Sequence, residues 1–544
     1  MKINNILRNL IFLLILIYIR YKWSTVSSWR EDEATNIWLS YTNSSLDSPV
    51  GLLSSKMIPT PNGFILFGKI FTIFESLLHT TIFLSLLQVA AFYFLSKEIS
   101  SNKNLNGSLF LILSFSTLMS SSSVEFWNQY ILILFNSLFF IFLFKYLNSK
   151  KSEFLIGSVC LIIIPPSIYL AGITNSIMYT LLIFLAILIT KNYKLTKNKV
   201  LYFSSLLIYL ILNYIFIWRQ YFKSISINEV LGFSNLSLYD RINIFSDTVL
   251  HLPGTFLTIW TKPSSFKIYQ IHPDINSTFT HLLFKLYVEF HKVIITLFCL
   301  VVFLGLRELI KNNKQTIDSL LLKKISLFLF FIIISILINP IIGGPNFITR
   351  ERMETFNQFY PFFLFVWFST PYIFIKLKLF KEKIIPLNII VFSIFIILNI
   401  LLSFNTVSDT IEYDGNTLTE ADVPLNQKLL LIDFLANDIK QKTNNNKASI
   451  SYDLGGGIWD WIPDHSEYFS IWYPDYPFTM GRVFDYQLHR KYLIINEYEG
   501  LNRRNFKDSD YIVTYKFETH EVLNNTNYEH HYFGRLRLSK LINK

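Results

Sequence analysis

Apolar runs of about 18 to 22 residues, rich in Ile, Leu and Phe, recur along the first 400 positions, divided by short polar stretches. A run of that length wound as a helix covers roughly 30 Å of hydrocarbon. Inside a bilayer the helix also satisfies its own backbone N–H and C=O groups. The pattern predicts about eleven spanning helices. They lie near 6–22, 76–96, 105–121, 126–145, 154–172, 175–190, 200–218, 284–305, 325–341, 356–375 and 384–403. Pro165-Pro166 is expected to end or kink the fifth. Phe64 to Phe74 is too short to span and reads as helix lying along the membrane surface. After Leu402 the period changes. Leu429, Leu430, Ile432, Leu435 and Ile439 predict an amphipathic helix over 425–441, and Ala448–Tyr452 and Tyr511–Tyr515 read as strands. The expected architecture is a polytopic α-helical membrane protein with a small C-terminal α/β soluble domain, divided as 1–404 and 405–544.

Composition agrees: 51% of residues are hydrophobic, 16% are charged, and 52 are Phe. Ile6 to Tyr18, behind Lys2 and Arg8, has the look of a secretory leader. No small-residue cleavage site follows it, only Arg20, Tyr21, Lys22 and Trp23, so a retained anchor is expected. The net charge of +11 would suit nucleic acid if it were clustered, but it is distributed by topology. With the N-terminus inside, alternate short connections carry the basic residues, such as Lys191, Lys194, Lys197 and Lys199, or Lys376, Lys378, Lys381 and Lys383. That is the asymmetry membrane insertion imposes. It predicts a cytoplasmic N-terminus, an external C-terminal domain and no nucleic-acid partner. The two cysteines, Cys160 and Cys299, lie in apolar runs and read as packing residues.

Candidate chemistry gathers in the connections expected outside. The first, about 23–75, opens with Arg30-Glu31-Asp32-Glu33, three consecutive acids just beyond the first span. A carboxylate there can act as a general base; the alternative is a solvated loop. Glu125, Asn128 and Gln129 open the fourth span and would share one face of a helix running through all three. They read as an N-terminal cap region or, alternatively, as substrate contacts. Arg350 and Arg352 stand in a later external turn, where they can pair with Glu351 or Glu354 or with lipid headgroups. Only one strong acidic cluster is present, so no metal is assigned and a divalent ion stays an unsupported alternative. Asp453-Leu454-Gly455-Gly456-Gly457 lacks the lysine and spacing of a phosphate loop and reads as a turn.

Three features together resemble one family. They are Trp29-Arg30-Glu31-Asp32-Glu33-Ala34 after the first span, the stretch Ile58-Pro59-Thr60-Pro61-Asn62-Gly63, and Arg350-Glu351-Arg352 running toward Tyr360-Pro361. The chain is similar to the GT-C superfamily of polyprenyl-phosphate-sugar-dependent glycosyltransferases, which includes the protein O-mannosyltransferases and the lipid A aminoarabinose transferases. The resemblance covers about 1–404. It implies an inverting glycosyltransferase that uses a membrane lipid, a polyprenyl-phosphate-linked sugar, as donor and an unidentified hydroxyl as acceptor. It further implies Asp32 as base, Glu33 as its assistant or an acceptor contact, and Arg350 and Arg352 on the departing phosphate. Two other classes are weighed against it: a transporter of lipid-linked or polar solutes, and a non-catalytic envelope scaffold. Spans almost free of charge, with polar residues gathered at one face, favour surface chemistry over passage.

Overall fold

The computed structural model describes residues 2–29, 31–41, 50–53, 59–168, 172–190, 237–250, 278–311, 319–341, 357–376, 384–413, 423–443, 445–454, 483–497, 509–517 and 527–542. Helix α1 (Lys2–Thr25) leads through a turn into α2 (Glu31–Tyr41). An antiparallel pair, β1 (Val50–Leu53) and β2 (Pro59–Pro61), and the short α3 (Gly63–Gly68) precede α4 (Leu77–Ile99). Next come α5 (Lys103–Phe115), α6 (Thr117–Ser123), α7 (Asn128–Ser149), α8 (Ser152–Cys160), α9 (Ile164–Ile168) and α10 (Ile173–Thr190). Then follow α11 (Leu238–Leu250), α12 (Thr278–Lys311), α13 (Ser319–Ile341), α14 (Tyr360–Lys376) and α15 (Ile384–Glu412). Among the described residues each predicted apolar segment overlaps helix, while 200–218, and residues 169–171 and 356 of two others, lie outside them.

Among the described residues four helical stretches are long and apolar enough to cross a membrane: Leu77–Ile99, Gln129–Ser149, Leu320–Leu337 and Ile390–Glu412. The pair α5 and α6 makes a fifth if its two arms are one crossing. This is the make-up of a polytopic membrane protein. Between helices the core is aromatic: Phe140 of α7 lies 4.6 Å from Phe328 of α13 and 4.9 Å from Phe362 of α14, ring centre to ring centre. A buried amide cluster ties the same region together. Asn175 of α10 donates to Asn136 of α7 (3.0 Å) and to Gln358 (2.8 Å), while the Tyr179 hydroxyl donates to Asn136.

The third predicted span, taken as continuous over 105–121, is instead broken. The chain bends by 61° at Ser116, which leaves the helix geometry and caps α6 by accepting from Met119 N–H (3.4 Å). A break inside hydrocarbon exposes carbonyls and amides that must find partners. Side chains supply them. Arg20 of α1 donates to Ser114 O (2.8 Å), Met119 O (3.1 Å) and Ser123 Oγ (2.5 Å). Asn399 of α15 accepts from Thr117 N–H (2.8 Å). The fifth segment is interrupted too: α8 gives way to a 3-10 turn over Leu161–Ile163 before the proline-bearing α9. Prolines 165 and 166 have no N–H to bond the preceding turn, which accounts for the change of winding. Cys160, expected to be a packing residue, is exposed at that junction.

After α15 the chain forms α16 (Leu425–Lys442), β3 (Lys447–Ala448), β4 (Ile450–Asp453), α17 (Val483–Tyr492), β5 (Ile495–Asn496), β6 (Tyr511–Tyr515), β7 (Tyr528–Phe533) and β8 (Leu536–Leu541). Strands β4 and β6 run parallel, β6–β8 and β8–β7 antiparallel, in the order β4-β6-β8-β7. The stripe Leu431, Ile432, Leu435 and Ile439 of α16 packs on Ile450, Val513, Leu536 and Leu538. Every residue of β6 is buried, as a central strand covered on both faces requires. The β7–β8 turn also joins this unit to α15. Buried Arg535 donates to Thr410 O (2.9 Å) and Tyr413 O (3.0 Å), carbonyls left open where α15 ends. Gln427 accepts from Arg535 N–H (3.0 Å).

Gly534, at φ +60°, makes that turn possible; a Cβ there would sit 2.3 Å from the Gln427 side chain. Gly534→Ala combines a left-handed backbone penalty with a clash, and is expected to cost about 1–3 kcal/mol. A fall in the unfolding midpoint of the detergent-solubilised protein measures it; an unchanged midpoint contradicts the strain.

Candidate functional site

The acidic run Glu31-Asp32-Glu33 forms the first turn of α2, with five residues between it and the end of α1. Carboxylates suit that position because the helix N-terminus carries unpaired N–H groups and partial positive charge. Sequence left a solvated loop open as the alternative. The structure rejects it for the body of this helix: Glu33 is only 1% exposed, and every residue from Glu33 to Ser40 is buried. A buried carboxylate is far more informative than an exposed one, since leaving water has to be offset by specific partners.

The entry to α2 is a built frame. Trp29 takes a left-handed backbone (φ 36°), a conformation a non-glycine residue keeps only when its surroundings hold it there. Its ring stacks on Phe126 (5.5 Å, 5° between planes), and its Nε1–H donates to Thr81 Oγ1 (3.2 Å). Ser28 donates from N–H to Glu125 Oε1 (3.2 Å) and from Oγ to Glu125 Oε2 (2.6 Å). The Ser27 hydroxyl donates to Val124 O (2.8 Å). From the C-terminal unit, Leu425 N–H donates to Ser27 O (3.1 Å), and Lys428 Nζ donates to Ser28 O and Trp29 O. A segment almost 100 residues along the chain, and another some 300 residues further on, therefore converge on residues 27–29.

The expected grouping of Glu125, Asn128 and Gln129 on one helix face is corrected. Trp127 is extended (φ −112°, ψ 134°) and α7 begins only at Asn128, so Glu125 precedes the helix and helical spacing does not apply to it. Its carboxylate, 2% exposed, is spent on Ser28. Asn128 is the first residue of α7, and Gln129, beside it, is buried. Glu125 also borders a small cavity with Gln88, Ser122, Ser123 and Tyr130, on the scale of about one water molecule. Gln88 Oε1 is buried there without a hydrogen-bond partner among the described residues. Asp32 belongs to the first turn of α2; Arg350 and Arg352 lie outside the described residues.

The other end of α2 meets α17. Trp38 packs edge-on against Tyr486 (5.5 Å) and His489 (5.1 Å), and the Arg490 guanidinium sits 4.1 Å over the Tyr41 ring. Burial, and then the adjacent Arg490 charge, hold the His489 imidazole below its ordinary pKa; burial pushes the Tyr486 phenol up to about 12. Gln487, fully buried, accepts from Leu77 N–H (3.0 Å) and donates to Glu75 O (3.0 Å). It caps α4 from the far end of the chain, where the residue before the helix, Ser76, makes no capping bond of its own. Gln487→Ala strips that cap and is expected to cost about 1–2 kcal/mol. Faster hydrogen exchange in the first turn of α4 reads it out, and unchanged exchange there contradicts it.

Sequence reasoning missed Arg20, Ser28, Lys428 and Gln487. For Lys428 and Gln487 no local signal exists, because their partners are about 400 residues away.

No family model matches the chain, and no curated protein does. Among solved structures the chain is similar to the crystal structure of ArnT from Cupriavidus metallidurans bound to undecaprenyl phosphate, with a TM-score of 0.42 at 9% identity over 97% of each chain.

Proposed function

We propose that the protein is an inverting glycosyltransferase that moves a sugar from a polyprenyl-phosphate carrier to an acceptor hydroxyl at the external face of the membrane. The observation that supports this best is the acidic first turn of α2, set just beyond α1 and entered through a buried frame at residues 27–29. A free loop would not hold a base in register with a lipid headgroup. A buried helix does, because its backbone has no freedom left to lose at the moment of reaction.

In this reading the acceptor oxygen attacks the anomeric carbon as its proton passes to the Asp32 carboxylate. The bond from that carbon to the phosphate oxygen breaks on the opposite side, and its electron pair leaves on the lipid phosphate. Configuration inverts. Arg350 and Arg352 would meet the charge gained by the phosphate, where fixed donors are most effective. Glu33, buried beside Asp32, would orient the acceptor or assist the base. In the eleven-span topology expected from the sequence, with an external unit from about 405 onward, these groups share one side.

A transport reading gains something from the α5–α6 break, since interrupted helices line many transporter sites. Here, however, the Arg20 charge at the break is directed at the carbonyls and the serine hydroxyl that the break exposes.

The test uses purified protein in liposomes that contain polyprenyl-phosphate-linked sugars, with release of free polyprenyl phosphate as the readout. Sugar-loaded lipid is measured in parallel in deletion and wild-type cells. Release with inversion, and accumulation in the deletion strain, are expected. No release from any donor, with equal lipid pools in both strains, overturns the proposal.

A further inference from the structure

Lys428 of α16 is completely buried, yet it reaches out of the C-terminal α/β unit. Its ammonium donates to Ser28 O (2.8 Å) and to Trp29 O (2.7 Å), the two carbonyls on either side of the left-handed Trp29 turn. Opposite it, the Glu125 carboxylate takes the N–H and hydroxyl of Ser28. The Ser28 residue is thus held between a cation on its carbonyl and an anion on its donors, each matched in polarity. Three residues later α2 begins with its acids. One α16 turn earlier, Leu425 N–H fixes Ser27 O, so the N-terminus of α16 grips this segment at two points. A buried ammonium is costly unless it is well partnered, and a cheaper apolar residue would serve packing alone.

We propose that Lys428 is a positioning residue: it holds the Ser28–Trp29 turn and, through it, the register of Asp32 and Glu33, making the C-terminal unit an integral part of the catalytic site. The inference rests on the transferase reading for its catalytic consequence, though not for its structural one. A compact ammonium with three donors suits two converging carbonyls, while a planar guanidinium fits them less well. Lys428→Met keeps the length of the stem and removes both bonds. Lys428→Gln keeps one donor group.

The experiment uses full-length protein in nanodiscs and measures two things for each variant: hydrogen exchange resolved to short segments, and transfer kinetics. In Lys428→Met, exchange across residues 28–34 is expected to rise at least about tenfold, while α16 and the β4-β6-β8-β7 sheet stay protected. The turnover kcat is expected to fall about tenfold to a hundredfold with donor KM within about twofold, since displacement by an ångström costs rate rather than affinity. Lys428→Gln should fall between Met and wild type in both readouts. Unchanged exchange across 28–34 overturns the proposal. So does loss of protection spread evenly through α16 and the sheet in both variants, which makes Lys428 an ordinary core residue. If the wild type transfers no sugar, the transferase reading fails, and the exchange data still decide whether Lys428 holds the turn.

Discussion

Asp32→Asn is expected to slow sugar transfer by about 10² to 10⁴-fold with little effect on folding. The substitution is nearly isosteric and removes one thing, the capacity to accept a proton from the acceptor hydroxyl. Substrate binding should survive, so the loss falls on kcat. Its neighbour makes an instructive contrast. Glu33 is buried, and Glu33→Gln, though equally isosteric, turns a buried acceptor oxygen into a donor, so its loss of rate should come with a loss of stability. The comparison is made at matched membrane abundance, with polyprenyl phosphate release in vitro and sugar-loaded lipid in cells. An Asp32→Asn protein that turns over at the wild-type rate removes Asp32 as base, and transport then becomes the leading reading.

Much of the scaffold is legible in hydrophobic pattern alone. The run 76–96 becomes Leu77–Ile99, and the amphipathic stretch 425–441 becomes Leu425–Lys442, because length and period each dictate a helix. Strand residues 511–515 match β6 for the same reason, since β-branched and aromatic side chains suit a covered strand. What the pattern hides is interruption. Ser116 sits in an apolar run with no glycine or proline to mark it, so the 61° break is invisible until its partners on α1 and α15 are known. The error at Glu125 is of the same kind: helical spacing was applied three residues before the helix starts. The candidate base, Asp32, could be named from the family resemblance and its place after the first predicted span. The frame that holds its helix could not, because Glu125, Leu425 and Lys428 reach it across about 100 to 400 residues of sequence.

Arg20 carries the largest expected effect on stability. By sequence it belongs to the polar edge of the first span, beside Tyr21, Lys22 and Trp23. In the fold it is fully buried, and its guanidinium gives three hydrogen bonds to the broken α5–α6 helix. Arg20→Met leaves Ser114 O and Met119 O without their donor, and each orphaned buried carbonyl costs about 1–3 kcal/mol. Removing the charge returns part of this, because a buried guanidinium is itself expensive to desolvate. The net loss is expected at roughly 2–4 kcal/mol, enough to cut the amount of folded protein in membranes severalfold. Arg20→Lys separates charge from geometry. It keeps the cation but lacks the planar fork that spans acceptors on both arms of the break, so it should recover only part of the loss. Inactivation half-life at fixed temperature, measured on solubilised protein, ranks the three. A half-life ordered wild type, Lys, Met identifies Arg20 as the clamp on the break. A Met variant as durable as wild type means that the two arms are held by Asn399 and Ser116 without it.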